Sequence, residues 1–278
     1  MENSRKRRLG IPVILLIAGI VLIALGTLLI KFTDTDKYFA KENINESFSA
    51  ENIECLNVEA ATANFYLESY DGSEIIVEAH DIPQDRYSFE CSGNKFSIEY
   101  NQAKWYEWYK TFGFGWFEKN YNDSYIKIRV PDKEYAALKL EGGIGEYTVS
   151  GLKCINADID SGIGKNSFTE CTISGKLNID MGIGELILEN CSLNQSDIDG
   201  GAGQINFSGK ILGGLNVDCG IGDSSFKIDG YYSDYDIKTD TGIGEIKIDR
   251  GSAGNNGSSL KIPIDINGGM GEVNISFK

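Results

Sequence analysis

The chain is 278 residues long, with 41 acidic and 26 basic residues and a formal net charge of −15 at pH 7. Such an acidic excess keeps a surface soluble and repels nucleic-acid phosphates and anionic lipid heads. It excludes a DNA- or RNA-binding role.

In chain order, the first predicted element is a membrane helix. Arg5, Lys6, Arg7 and Arg8 precede an uncharged, mostly apolar run from Leu9 to Ile30, closed by Lys31. About 20 apolar residues cross a bilayer core as a helix, and basic residues ahead of the run hold that end in the cytoplasm. The run is longer than the apolar region of a secretory signal, and no small-x-small cleavage site follows it. Residues 1–8 therefore read as a cytoplasmic tail and 9–31 as a single-pass transmembrane anchor, with the bulk of the chain extracytoplasmic. Residues 1–31 hold five basic residues and one acid, which leaves 21 basic and 40 acidic residues in 32–278, a net of −19.

Residues 32–49 are polar, lack apolar periodicity and read as a stalk. Residues 50–135 read as an N-terminal β region. Asp71-Gly72 and Ser92-Gly93-Asn94 are hairpin turn signals. Alternation points Ile53, Leu56, Val58, Phe65, Leu67, Ile76, Phe96, Ile98, Ile126, Ile128 and Val130 inward. This region contains an aromatic insertion, 103–121, with Trp105, Tyr106, Trp108, Tyr109, Phe112, Phe114, Trp116 and Phe117. Trp and Tyr dominate interface anchors, so these eight residues are the candidate partner-binding set. The other reading is a cap over an open end of the fold.

From 136 to 278 one motif recurs. Gly-x-Gly stands at Gly143 and Gly145, Gly162 and Gly164, Gly182 and Gly184, and Gly201 and Gly203. It returns at Gly220 and Gly222, Gly242 and Gly244, and Gly269 and Gly271, the intervals being 19, 20, 19, 19, 22 and 27. A period near 20 is the signature of a solenoid. A dinucleotide fingerprint would occur once, between a strand and a helix, and calcium-binding nonapeptide repeats have half this period. Apolar residues recur three before the first glycine (Leu140, Ile159, Ile179, Ile198, Val217) and six after it (Val149, Phe168, Leu188, Phe207, Phe226). Each repeat is thus predicted as strand, Gly-x-Gly corner, strand and polar turn, with all fourteen glycines as structural turn residues. The middle Ile or Met is expected to point inward and fill the corner. The fold class expected is all-β, a β-solenoid preceded by one transmembrane helix.

A second ladder is acidic. Two residues before the first glycine stand Glu141, Asp160, Asp180, Asp199, Asp218, Asp240 and Asn267. Alternation puts them outside, as a solvated face. Asp160, Asp180, Asp199 and Asp218 are also candidates for weak Ca²⁺ binding, because Ca²⁺ tolerates irregular oxygen cages; no other cofactor is implied. Of the six cysteines, Cys171 and Cys191 hold the same place in successive repeats, which allows either a disulfide or a stacked pair of buried thiols.

The order of an N-terminal anchor, a strand opening "IECLNVEAATANFYLES", a strand closing "IKIRVPD" and ladders of the type "LKLEGGIGEYTVSG" resembles the bacterial putative-adhesin family of β-strand-repeat envelope proteins, a domain of unknown function. The likeness covers about residues 50–278, and the aromatic insertion departs from it. The resemblance implies a β-solenoid at the bacterial cell membrane and envelope, association with envelope-stress regulators, and no catalytic residue. The function expected is a non-catalytic binding or scaffold protein that meets the membrane through its N-terminal helix and an envelope protein or wall partner through its exported part. The alternative is a carbohydrate-active wall enzyme on the same scaffold, using Asp158, Asp160, Asp180 and Asp199 as paired carboxylates.

Overall fold

The computed structural model describes residues 19, 40–61, 63–101, 124–240, 242–254, 257 and 260–278. By internal contacts the chain divides into two units, Met1–Lys41 and Glu42–Lys278. The expected anchor at 9–31 (Gly19 apart) and the aromatic insertion lie outside the described residues. Among the described residues no helix is long and apolar enough to cross a membrane.

The second unit, together with Lys41 just before it, is all-β. Its strands are β1 (Lys41–Ser49), β2 (Cys55–Ala61), β3 (Asn64–Tyr70), β4 (Glu74–Pro83), β5 (Tyr87–Ser92), β6 (Lys95–Tyr100), β7 (Tyr125–Pro131) and β8 (Glu134–Ser150). They continue as β9 (Lys153–Thr169), β10 (Thr172–Asp199), β11 (Ala202–Asp218), β12 (Ser224–Ile228), β13 (Tyr235–Asp240), β14 (Ile243–Asp249), β15 (Ile262–Asn267) and β16 (Met270–Phe277). All belong to one mostly parallel sheet.

The long strands bend around the Gly-x-Gly corners, so each rung has a first arm before the corner and a second arm after it. Leu140 pairs with Ile159 and Ile159 with Ile179 on the first arm; Val149 pairs with Phe168 and Phe168 with Leu188 on the second. These side chains are buried in one continuous core, and each Leu, Ile or Phe so buried contributes about 1.5–3 kcal/mol. The expected polar turn is instead the start of a third, short side. Glu170 and Asn190 turn the chain with φ of 56° and 53°, and Cys171, Ile173, Cys191 and Leu193 then face the core. Among the described residues, the void inside the stack is about 10 Å³ and wholly apolar. That is at the lower limit of what one water needs, and the apolar lining offers it no hydrogen-bond partner.

The solenoid does not begin at residue 136. Parallel ladders join β2 to β8 (Leu56 to Leu138, Val58 to Leu140) and β3 to β8 (Phe65 to Tyr147, Leu67 to Val149). Strands β6 and β7 form a further rung outside that one, pairing in parallel with β2 and β3. At the other end the chain again departs from linear order. The rung of β15 and β16 inserts between the rung of β11 and β12 and the rung of β13 and β14. The two irregular intervals, 22 and 27, fall on this exchange.

The N-terminal region differs from expectation in two places. Residues 41–49 of the expected stalk are strand β1, lying beside β4; Asn43 Oδ1 accepts from Asp81 N at 2.8 Å, and Ile44 and Phe48 pack on the core. Its polarity reflects a position at the sheet edge, where few residues face inward. In β4 it is Ile75 and Val77 that are buried, not Ile76; in a run of three apolar residues alternation alone leaves the face undecided.

The glycines also differ from the expected turns. Most are not separate turns between strands but ladder residues at a bend. Gly143, Gly145, Gly162, Gly164, Gly182, Gly184 and Gly203 lie within β8 to β11, Gly244 lies within β14 and Gly271 within β16. The ladder runs through these bends: Gly145 pairs with Gly164, Gly164 with Gly184, Gly184 with Gly203, and Gly244 with Gly271. Gly201, Gly220, Gly222, Gly242 and Gly269 stand outside the strands, nearer to the expected turn. The physical reason is that the chain bends in the plane of the rung, leaving N–H and C=O groups directed along the stack, where they pair with the next rung.

Close approach explains why glycine is needed there. A Cβ on Gly164, Gly184, Gly203 or Gly222 would fall far inside contact distance of the carbonyl oxygen of the corresponding glycine one rung away (Gly145, Gly164, Gly184 and Gly203). At the exchanged rungs a Cβ on Gly271 would meet the Gly222 carbonyl, and one on Gly244 the Gly271 carbonyl. Backbone stacks directly on backbone, and a side chain has no room. The corners are also held by side chains two residues upstream. Asp199 Oδ1 accepts from Gly201 N at 3.1 Å, Asp218 Oδ1 from Gly220 N at 3.0 Å and Asn267 Oδ1 from Gly269 N at 3.3 Å. These are local turns of the Asx kind.

Substitutions at the corners separate these effects. Gly184→Ala, at φ 151° and against the Gly164 carbonyl, lowers stability by at least about 3 kcal/mol. Gly93→Ala, at φ 61° with nothing within 4 Å, costs about 1 kcal/mol. Denaturant unfolding of the two variants measures the difference, and equal losses contradict the stacking argument. Asp199→Ala costs about 1 kcal/mol through the lost hydrogen bond, whereas Asp199→Asn, which keeps the acceptor, stays near wild type. The same unfolding measurement would show equal losses if the charge itself were what mattered.

Candidate functional site

The middle residues of the corners point outward, not inward. Relative exposure is 59% for Ile144, 49% for Ile163, 57% for Ile183, 53% for Ile221, 73% for Ile243 and 43% for Met270. The inward position is the residue just before the first glycine: Ser161, Met181 and Cys219 are buried. The next inward residues are Asn166, Leu186 and Ser224. The members of each pair stand five positions apart, an odd number. The corner therefore absorbs one residue outside the strand alternation, and the apex is expelled. The partners at these positions are matched. Asn166 Nδ2 donates to Ser161 Oγ at 2.9 Å. Where the inward position is Gly142 the Tyr147 ring takes the space, and where it is Gly200 Ile205 does.

The expelled residues are in register. Ile144 pairs with Ile163, Ile163 with Ile183, Ile183 with Ala202, Ala202 with Ile221, Ile221 with Met270, and Met270 with Ile243. They form one aliphatic ridge along the edge of the stack. At about 4.8 Å per rung, six steps make it about 29 Å long. Single exposed apolar residues are ordinary on a protein surface; an aligned series is the kind of patch that marks an interaction site.

In sequence the aromatic insertion stands between β6 and β7, which pair in parallel with β2 and β3. After it, Ser124 O accepts from Asn64 N at 3.2 Å, and Asn64 Oδ1 accepts from Glu146 N at 3.2 Å, next to the first corner. Trp105, Tyr106, Trp108, Tyr109, Phe112, Phe114, Trp116 and Phe117 themselves lie outside the described residues.

The acidic ladder is placed as expected, on the outer face of the first arm. Glu141 pairs with Asp160, Asp160 with Asp180, and Asp199 with Asp218. A second outward column, Lys139, Asp158 and Asn178, runs beside it. A shallow concavity of about 450 Å³ is lined by Asp158, Asp160, Asp180, Asp197 and Asp199 with Lys139 and Glu141. These groups are spread along rungs rather than aimed at one point. Lys139 pairs with Glu141, and Asn216 Nδ2 donates to Asp197 Oδ1 at 2.9 Å. Among the described residues no group of three or more His, Cys, Asp or Glu is arranged to hold a metal ion.

All six cysteines are free thiols. Cys171 Sγ and Cys191 Sγ lie near backbone carbonyls, 3.5 Å from Thr169 O and 3.4 Å from Phe168 O respectively. The neighbouring Cys171 thiol and burial push the Cys191 thiol up, and burial pushes Cys154 up to about 12. Both act as small core residues.

No curated protein matches the chain. Among solved structures it is similar to a "putative adhesin" from Bacteroides fragilis, at 14% identity over 85% of this chain and 98% of that one, with a TM-score of 0.43. It is similar to a "putative cell adhesion protein" from Clostridium sporogenes, at 15% identity over 85% and 100%, with a TM-score of 0.38. It is also similar to a "putative lipid binding protein" from Parabacteroides distasonis, at 15% identity over 84% and 96%, with a TM-score of 0.31. The model of one family, Toastrack DUF4097, matches residues 53–277 and so spans every rung described above, and no catalytic family is indicated. The chain belongs to the Toastrack DUF4097 family.

Proposed function

We propose that this protein is a non-catalytic binding or scaffold protein of the bacterial cell envelope, held to the membrane by residues 9–31 with residues 32–278 outside. The observation that carries this reading is the ridge: apolar side chains expelled at the same corner of successive rungs and kept in register by the parallel ladder. A fold that only needed to be soluble would gain from polar residues at those apices. The acidic faces on the arms support solubility, and the Trp and Tyr residues of the insertion between β6 and β7 in the sequence are a second candidate contact. The carboxylates of the first arm repeat rung by rung, and those of Asp199 and Asp218 already serve the corners; this favours a structural role for them over paired acid–base work.

The test is site-specific photo-crosslinking on intact cells. A crosslinking residue replaces Ile183 on the ridge or, as a control, Ile155, which is also exposed but stands on another part of the rung. The expected result is a defined adduct with an envelope component from position 183 and none from position 155. No adduct at 183, or the same adducts at both, counts against the reading.

A further inference from the structure

The ridge is bordered by acid on both sides. On the first-arm side stand Glu141, Asp160, Asp180, Asp199 and Asp218; on the second-arm side stand Glu146, Lys165, Glu185, Gln204, Asp223, Glu272 and Glu245. Lys165 is the one cation in the second series and pairs with Glu185 at 3.1 Å; Lys247 pairs with Glu272 at 2.9 Å and Glu245 at 3.5 Å, and Lys139 with Glu141, so the acidic border rests on Asp160, Asp180, Asp199 and Asp218 of the first arm with Glu146 and Asp223 of the second. Exposed carboxylates flanking an apolar stripe are complementary to a partner with the opposite pattern: an apolar stripe bordered by Lys and Arg.

Spacing selects the form of that partner. The ridge repeats every rung, about 4.8 Å. An α-helix presents its stripe once per turn, about 5.4 Å; an extended strand returns to the same face only every 6.8 Å or so. A helix laid along the ridge drifts by about 0.6 Å per rung and comes half a rung out of step only after about four rungs, whereas a strand does so after about one. A length of about 29 Å corresponds to about 19 helical residues.

Resting on the binding reading above, we infer that the ridge docks a cationic amphipathic helix, with Ile144, Ile163, Ile183, Ile221 and Met270 against its apolar stripe and the flanking acids against its Lys and Arg. The apolar contact supplies the salt-independent part of the affinity. The acids are solvent-exposed, so their part is screened within a Debye length of about 8–10 Å at physiological salt and acts on encounter rate and partner choice.

The experiment is a fluorescence anisotropy titration of the full-length protein. The probe is a labelled synthetic helix of about 18 residues, five turns, with a Leu stripe bordered by Lys. Two controls have the same length: one with Glu in place of Lys, and one with the Leu stripe scrambled. Saturable binding of the Lys peptide is expected, weaker at higher salt and absent for both controls. Ile163→Ser with Ile183→Ser weakens it by roughly tenfold or more, the range of a central anchor, with an unchanged unfolding midpoint because both side chains are exposed. Asp160→Asn with Asp180→Asn weakens it by less and flattens the salt dependence. Equal binding of the Glu peptide, or binding unaffected by the double Ser variant, overturns the inference. So does a protein dimer seen by sedimentation and lost in the double Ser variant, because a second copy then covers the ridge. Failure here alongside an envelope adduct at position 183 overturns only the partner class and leaves the binding reading standing.

Discussion

The structure depends on backbone stacking on backbone at one corner of every rung. With a side chain there, successive rungs could not approach to strand spacing on both arms at once. The glycines remove that obstacle, since a Cβ at Gly184 would overlap the Gly164 carbonyl and one at Gly203 the Gly184 carbonyl. Once the corners stack, the two arms are locked in parallel register, and the inward residues of each arm meet their equivalents above and below. Ile159, Ile179, Phe168 and Leu188 are core because the corners are in column. Exposure of the middle residue has the same cause: a bend made of two glycines and one other residue sends that residue's side chain to the apex.

This makes the surface a consequence of the core. The strand ladder that keeps the interior columns aligned also aligns the apices, so a single outward choice of Ile, repeated, becomes a ridge rather than scattered exposed residues. The acids follow the same logic. Their column is continuous because they sit at a fixed offset from the corner, and Asp199 and Asp218 combine a solvated charge with a hydrogen bond that holds the turn. At the ends the repetition is broken. Antiparallel pairing of β4 on β7 and of β5 on β6 covers one end, as solenoid ends require. At the other the last rung of the chain is tucked inside the stack by its pairing with β11 and β12.

Much of this was legible in the sequence. The period, the inward residues on both arms and the outward acids all follow from Gly-x-Gly spacing and alternation. The apex, expected inward, points outward, and the clue lies in the inward residues before and after the corner, which stand seven apart as Ile179 and Leu186 do. An odd separation means one residue is spent outside the alternation. That glycines such as Gly244 and Gly271 would be paired ladder residues was less visible, because Gly-x-Gly ordinarily punctuates strands, and only the stacked rung supplies their partners. The third side was hidden because Cys171 and Cys191 look like turn residues beside Glu170 and Asn190, and only the left-handed backbone of those two shows where the turn ends. The exchange of rungs could not be read, because periodicity identifies rungs and says nothing of their spatial order.

Whether the corner expels its middle residue is the point on which the ridge and its function rest. Hydroxyl-radical footprinting read by mass spectrometry tests it on the native protein. The account predicts that Ile144, Ile163, Ile183 and Met270 are oxidised at the rates of exposed side chains, while Ile159, Ile179, Met181 and Leu186 are protected. Protection of Ile163, Ile183 and Met270 together with their inward neighbours would mean that the corners are filled from within, and the ridge would not exist.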